Sequence, residues 1–156
     1  MLKCNVDAAC YVEQNFYCIA ACLRDDKGQF VATFAKRFEG QRAIDEAEAI
    51  GVMEALKCLH STHNEASIIE TDSLHVVQSI GSSTKNISGN VIEACNVIEA
   101  CRRLLNLNRN CKVSYIRRQA NRVAYDSVQA TRFTTSSHIY NYCPPGIETT
   151  IMNEMH

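Results

Sequence analysis

Residues 16–38, FYCIAACLRDDKGQFVATFAKRF, leave this chain little freedom in how it begins a fold. Two strand-like segments, 16–23 and 30–38, flank RDDKGQ (24–29), where Gly28 can take the positive φ of a tight turn. The segments therefore pair as an antiparallel hairpin. Residues 2–9, with their alternating character, read as a further strand ahead of it. Beyond the hairpin the period changes. Residues 44–59 read as a helix and 67–72 as a short, mostly apolar strand, after which Ser73 is placed to cap a helix through about residue 80. GSSTKNISGN (81–90) reads as a loop, 91–105 as a helix with an apolar stripe, 111–118 as a strand, and 121 to about 133 as a last helix. The order β-β-β-α-β-α-α-β-α implies a mixed sheet with helices packed on its faces. The echo in VIEACNVIEAC (91–101) stays inside one helix and makes no repeat architecture. A single domain over 1–134 is expected, with an irregular tail over 135–156 that contains Pro144-Pro145-Gly146.

No apolar run approaches the roughly 20 residues that a membrane helix needs. The start, Met1-Leu2-Lys3-Cys4-Asn5, lacks the pattern of a signal peptide. The expectation is an intracellular protein, nuclear or cytoplasmic, with no membrane partner, in which the Asn86-Ile87-Ser88 glycosylation pattern is accidental. The nine cysteines form no Cys-x-x-Cys pair, and most, such as Cys18, Cys22, Cys58, Cys95 and Cys101, sit among apolar residues. Cys58, His60 and His63 are close in sequence, but no second ligand cluster follows them. Reduced core thiols are the expected reading.

The net charge is −1, but its distribution is uneven. Residues 39–72 hold eight acids and two bases, whereas 100–125 hold seven bases (Arg102, Arg103, Arg109, Lys112, Arg117, Arg118 and Arg122) and no acid. One region can gather cations and the other polyanions; the plainer reading is a dipolar surface without a partner.

Three acids stand where an ordinary core has no use for them. Asp7 lies inside the strand KCNVDAA, on the face of Lys3 and Asn5. Asp72 ends the apolar strand in IIETDS. On the first long helix, at 100° per residue, Ile44, Val52, Ala55 and Leu59 fall within about 40° of Glu48, which puts this carboxylate on the core-facing stripe. Glu46 and Glu54 point away and read as solvated. A buried carboxylate costs several kcal/mol unless it is paired or bound to metal. Lys3 starts roughly 13 Å from Asp7 along an extended strand, and no base accompanies Asp72. Strand 1, helix 1 and the end of strand 4 can bring the three acids to one rim, where a hard divalent cation is the natural partner. Mg²⁺ takes a few carboxylates and completes its shell with water and phosphate. Two such ions, about 3.5–4 Å apart, would clamp a phosphodiester displacement.

KCNVDAA, LRDDKGQFVATFAK, DEAEAIGVMEALKCL, IIETDSLHVVQSI and VSYIRRQANRVAYD follow one another in the order of the motifs of ribonuclease H-like domains. From about residue 2 to 133 the chain resembles that family, most of all its plant reverse-transcriptase-like, retroelement-derived subgroup, and the tail PPGIETTIMNEM is similar as well. The resemblance implies an α/β fold with a five-stranded mixed sheet in the order 3-2-1-4-5, flanked by helices. It implies an endonuclease that cleaves the RNA strand of an RNA–DNA hybrid with Mg²⁺ or Mn²⁺, which Asp7, Glu48 and Asp72 bind as catalytic acids. Arg117, Arg118, Asn121 and Arg122 are the expected nucleic-acid contacts, positioning the substrate through its phosphates.

The family places a fourth acid four residues after the position of Asn121, and here that position holds Tyr125. Asp126 is adjacent but about 100° around the helix, and becomes the fourth catalytic acid only if the register shifts. RRQANRV lacks the histidine that family enzymes often carry before this helix, and Ser127 and Val128 replace the apolar and small pair that usually follows the acid. The alternative is therefore a catalytically inactive module of the same fold that binds nucleic acid or a protein. A structural domain of a longer retroelement polyprotein is a third reading.

Overall fold

The computed structural model describes residues 1–62, 66–82, 92–131 and 138–140. β1 (Leu2–Tyr11), β2 (Phe16–Arg24) and β3 (Phe30–Glu39) form an antiparallel meander. The turn between β2 and β3 closes as its residues dictate. Asp25 Oδ1 accepts from the backbone N–H groups of Lys27 (2.9 Å) and Gln29 (2.8 Å), and Gly28 takes φ of 77°. α1 (Ile44–Thr62) crosses to β4 (Ser67–Thr71), which runs parallel to β1. α2 (Leu74–Gly81) and α3 (Ile92–Leu107) lead to β5 (Cys111–Tyr115), parallel to β4. A 3-10 turn, Arg118–Asn121, opens α4 (Arg122–Thr131).

The sheet order is β5-β4-β1-β2-β3-β6, so strands 3-2-1-4-5 stand as expected. The addition is β6 (His138–Tyr140), antiparallel to β3. Part of the expected irregular tail is thus a strand, whose register is Thr33↔Tyr140 and Ala35↔His138 on an otherwise open sheet edge. The remainder of that tail, and residues 83–90 of the expected loop, lie outside the described residues. β5 ends at Tyr115 rather than at 118. Its partner β4 stops at Thr71, and after Ile116 N–H bonds Thr71 O (2.9 Å) no strand backbone is left to pair with.

α1 and α3 cover one face. Val6, Ile19, Ala21 and Ile69 of the sheet pack there with Val52, Ala55, Leu56 and Leu59 of α1 and Cys101 of α3. α4 covers the other face, with Val128 among Cys18, Ala20 and Ala35, and Val123 against Cys22. Cys4, Cys10, Cys18, Cys22, Cys58, Cys101 and Cys111 are thiols, and of these Cys4, Cys18, Cys22, Cys101 and Cys111 are buried. Burial pushes the Cys101 thiol up to about 12, so it is inert as a nucleophile at neutral pH.

Two expectations for α1 are corrected. Ile44 is half exposed because, as the first residue of the helix, it sits at the outer end of the stripe. Glu46 and Glu54 are not simply solvated: Glu46 pairs with Arg42 (3.3 Å), and Glu54 with Lys36 of β3 (2.6 Å) and Lys57 (3.8 Å). Among the described residues no helix is long and apolar enough to cross a membrane.

Candidate metal centre

The parallel pairing of β1 with β4 ends at Val6↔Thr71. Asp7 and Asp72 are the next residues: Asp7 on β1, which continues through Tyr11 paired with β2 alone, as in Asp7↔Ala20, and Asp72 just past the carboxyl end of β4. In open α/β sheets such a crevice is where ligands bind. Glu48 arrives from α1. One helical turn later Gly51 lies against Val6, where an added Cβ would stand 2.8 Å from Val6 Cγ1. This close approach, available only without a side chain, seats Glu48 at the rim. Asp7, Glu48 and Asp72 each offer a carboxylate oxygen, and these oxygens lie within 4.8 Å of one another.

Asp7 and Glu48 are buried, at 4% and 5% exposure. Burial, then the charges of Asp7 and Asp72, push Glu48 up to about 10. Burial, then the charge of Asp72, push Asp7 up to about 6. Asp7 and Glu48 interact directly, and without a cation the proton between them rests on Glu48, whose carboxyl is pushed up further. Glu48 Oε2 is buried without a hydrogen-bond partner. Among the described residues the base that reaches the cluster is Arg118, whose Nε donates to Asp72 Oδ2 at 3.3 Å.

Arg118 is delivered by a buried polar network. Asn121 Nδ2 donates to Val6 O (2.8 Å), Asn5 Nδ2 donates to Asn121 Oδ1 (3.2 Å), and Arg24 Nη2 donates to Asn5 Oδ1 (2.6 Å). These bonds fasten the 3-10 turn and the start of α4 to the strand that carries Asp7. The expectation that Asn121 contacts nucleic acid is corrected here: it is wholly buried, and its amide is occupied by β1. Reading the sequence missed Asn5 and Arg24 as its partners. The available signal was an asparagine on the face of Asp7 in a mostly apolar strand.

Arg117, Arg118 and Arg122 are exposed. Arg122 Nε donates to Asp126 Oδ1 (3.0 Å), one turn along α4, and its guanidinium lies 5.1 Å from the centre of the Tyr125 ring. Asp126 therefore faces Arg122 and stands outside the group formed by Asp7, Glu48 and Asp72. Arg102, counted above in the basic segment, is committed to structure. It donates to the carbonyls of Ser79, Ile80 and Ser82 and so caps the end of α2, which has no base in its own last turn.

The strand order, the helices on both faces and the acids where the β1–β4 pairing ends define a ribonuclease H-like α/β domain. Residues 5–131 match the model of the family described as reverse transcriptase-like, and the chain belongs to that family; the match does not reach the plant subgroup. Comparison with curated proteins gives no match. Among solved structures the chain is similar to RNase H1 from the halophilic archaeon Halobacterium salinarum NRC-1 (17% identity, TM-score 0.70, covering 81% of this chain and 92% of that one). It is similar to LC11-RNase H1 in complex with an RNA/DNA hybrid (15% identity, TM-score 0.71, covering 83% and 95%), an enzyme isolated from compost by a metagenomic approach. It is also similar to the prototype foamy virus protease–reverse transcriptase (12% identity, TM-score 0.70), covering 86% of this chain and 21% of the viral one. At these identities the likeness is one of fold.

Proposed function

We propose that this protein is a divalent-metal-dependent endonuclease acting on the RNA strand of RNA–DNA hybrids. The observation that carries the reading is the gathering of Asp7, Glu48 and Asp72 where the parallel pairing of β1 with β4 ends, with one buried Glu48 oxygen left without a partner. The fold of proteins named RNase H1, one of them holding an RNA/DNA hybrid, supports the choice of substrate.

The donor set fits a hard cation. It consists of carboxylate oxygens with crowded negative charge, and a divalent ion replaces the proton that Glu48 otherwise keeps. Mg²⁺ or Mn²⁺ held by these three residues would supply Lewis acidity to the phosphodiester and to the attacking water. The chain's own residues do the rest. Asp7 and Glu48 must be ionised, so ion uptake displaces a proton from the pair. β1 and the end of β4 fix two carboxylates, and the Gly51–Val6 contact fixes the third. Arg118, on Asp72, and the exposed Arg117 and Arg122 of the same segment hold substrate phosphates as charge-assisted donors.

The test is cleavage of an end-labelled RNA–DNA hybrid with Mg²⁺, with and without EDTA. Cutting of the RNA strand that EDTA stops and that Asp7→Asn and Asp72→Asn abolish is the expected result. Binding of the hybrid without cutting at any Mg²⁺ or Mn²⁺ concentration would instead make the protein a binding module.

A further inference from the structure

Arg118 combines a fixed base with a free arm. Its backbone belongs to the 3-10 turn that Asn121 holds on β1, through an amide with no exposure. Its side chain is 80% exposed, and its one hydrogen bond among the described residues is from Nε to Asp72 Oδ2. Asp72 presents the opposite case, with only 7% of its side chain exposed. The guanidinium therefore covers from outside one of the carboxylates that a cation needs. Two of its three nitrogens make no hydrogen bond there, although a guanidinium can grip an oxyanion with two parallel N–H groups.

We propose that Arg118 is a built-in counter-cation, held on Asp72 in the free protein and transferred to a substrate phosphate when a divalent cation takes its place. The inference rests on the metal-centre reading above and deepens it. A monocation and a divalent cation cannot both sit on Asp72 without strong repulsion across a few ångströms. When the ion enters, Arg118 swings out on its anchored turn. Its fork is then free beside exposed Arg117 and Arg122, next to the crevice where a phosphate would approach the ion. Cation and polyanion binding thus become coupled through one side chain, and the coupling is reciprocal. Because Arg118 is exposed and singly bonded, the clasp on Asp72 is weak. Surface pairs of this kind bring changes of up to about fivefold in a binding constant, enough to bias the site without closing it.

The test is direct cation binding. Titration of the whole chain with Mg²⁺ alone, followed by calorimetry, should give binding about two- to fivefold tighter in Arg118→Ala than in the wild type, while Arg118→Lys, which keeps a charge there, should stay nearer the wild type. In a second arm, affinity for a fluorescent RNA–DNA hybrid is followed as Ca²⁺, which takes the same kind of oxygen ligands, is raised. The wild type should gain affinity with the cation, and Arg118→Ala should lose most of that gain. Mg²⁺ binding in Arg118→Ala that is equal to or weaker than in the wild type overturns the counter-cation role. Tighter Mg²⁺ binding with an unchanged response of hybrid affinity to Ca²⁺ overturns the transfer. Absence of Mg²⁺ binding in every variant overturns the metal centre itself, and this proposal with it.

Discussion

Gly51 of α1 stands against Val6 of β1 with no room for a side chain, since a Cβ there would meet Val6 Cγ1 at 2.8 Å. Val6 immediately precedes Asp7, and Glu48 lies one turn before Gly51, so this contact sets the spacing of two of the three acids. Val6 is fully buried and cannot swing aside. Gly51→Ala should push α1 off the sheet, and overpacking of this kind costs about 1–3 kcal/mol. The gain of up to about 1 kcal/mol in helix propensity offsets only part of that. We expect a net loss of stability in urea together with weaker Mg²⁺ binding. A Gly51→Ala protein as stable as the wild type, with the same Mg²⁺ affinity, would show that the contact yields easily.

Glu48 should cost the metal-free fold stability as pH rises. Its carboxyl, like that of Asp7, has a folded pKa raised above the ordinary value, so the folded state holds more protons than the unfolded state. Stability is then greatest below the ordinary carboxyl range and is lost as pH climbs, from about 4 to about 6 for Asp7 and onward toward about 10 for Glu48. In EDTA, Glu48→Gln should be no less stable than the wild type, and its advantage should widen between pH 5 and pH 8. It should also lose Mg²⁺ binding. Thermal melting of both proteins at the two pH values, with and without Mg²⁺, reads all of this. Strong destabilisation of Glu48→Gln in EDTA would mark a structural hydrogen bond rather than a ligand.

Asn121→Ala should be among the costliest substitutions in the 3-10 turn and α4. It strips a donor from Val6 O and leaves the buried Asn5 amide without its acceptor. Each orphaned buried group costs about 1–3 kcal/mol, so a loss of about 2–5 kcal/mol is expected by chemical denaturation. Hybrid affinity measured well below the melting temperature should change much less than in Arg118→Ala, because Asn121 does not face solvent. A large loss of affinity with little loss of stability would return Asn121 to the substrate contacts.

The parts of the site that were legible in the sequence are those that local pattern alone determines. Glu48 among Val52, Ala55 and Leu59 was visible because helical periodicity places a carboxylate in an apolar stripe. Asp7 and Asp72 were visible because β-structure disfavours acids at such points. The polar network was not legible, since Asn5, Arg24 and Asn121 meet across 116 residues of sequence and each alone reads as a solvated residue. The same holds for Arg102, whose partners are the backbone carbonyls at the end of α2. β6 was missed because three residues carry too little pattern, and its pairing depends on the open edge of β3.

The last prediction concerns the start of α4, where Arg122 engages both Tyr125 and Asp126. Family spacing puts an acid at position 125, and a phenol with a pKa near 10 is a poor ligand for Mg²⁺ at neutral pH. With Asp126 turned to Arg122, three carboxylates gather among the described residues, so a second ion would be weakly held. Turnover should then be slow, should need high Mg²⁺, and should improve with Mn²⁺, which accepts less ideal ligand sets. Tyr125→Asp should raise activity at low Mg²⁺ by about tenfold, equivalent to about 1.4 kcal/mol of barrier. Asp126→Asn should change the rate little, because the carboxylate is paired with Arg122 at i,i+4 and stands outside the group of Asp7, Glu48 and Asp72. Steady-state cleavage across a Mg²⁺ series separates the cases. If Asp126→Asn abolishes activity and Tyr125→Asp adds nothing, α4 turns on binding the substrate and Asp126 is the fourth ligand. If Tyr125→Asp remains inert at every metal concentration, the helix has lost more than one acid and the nuclease reading gives way to the binding module.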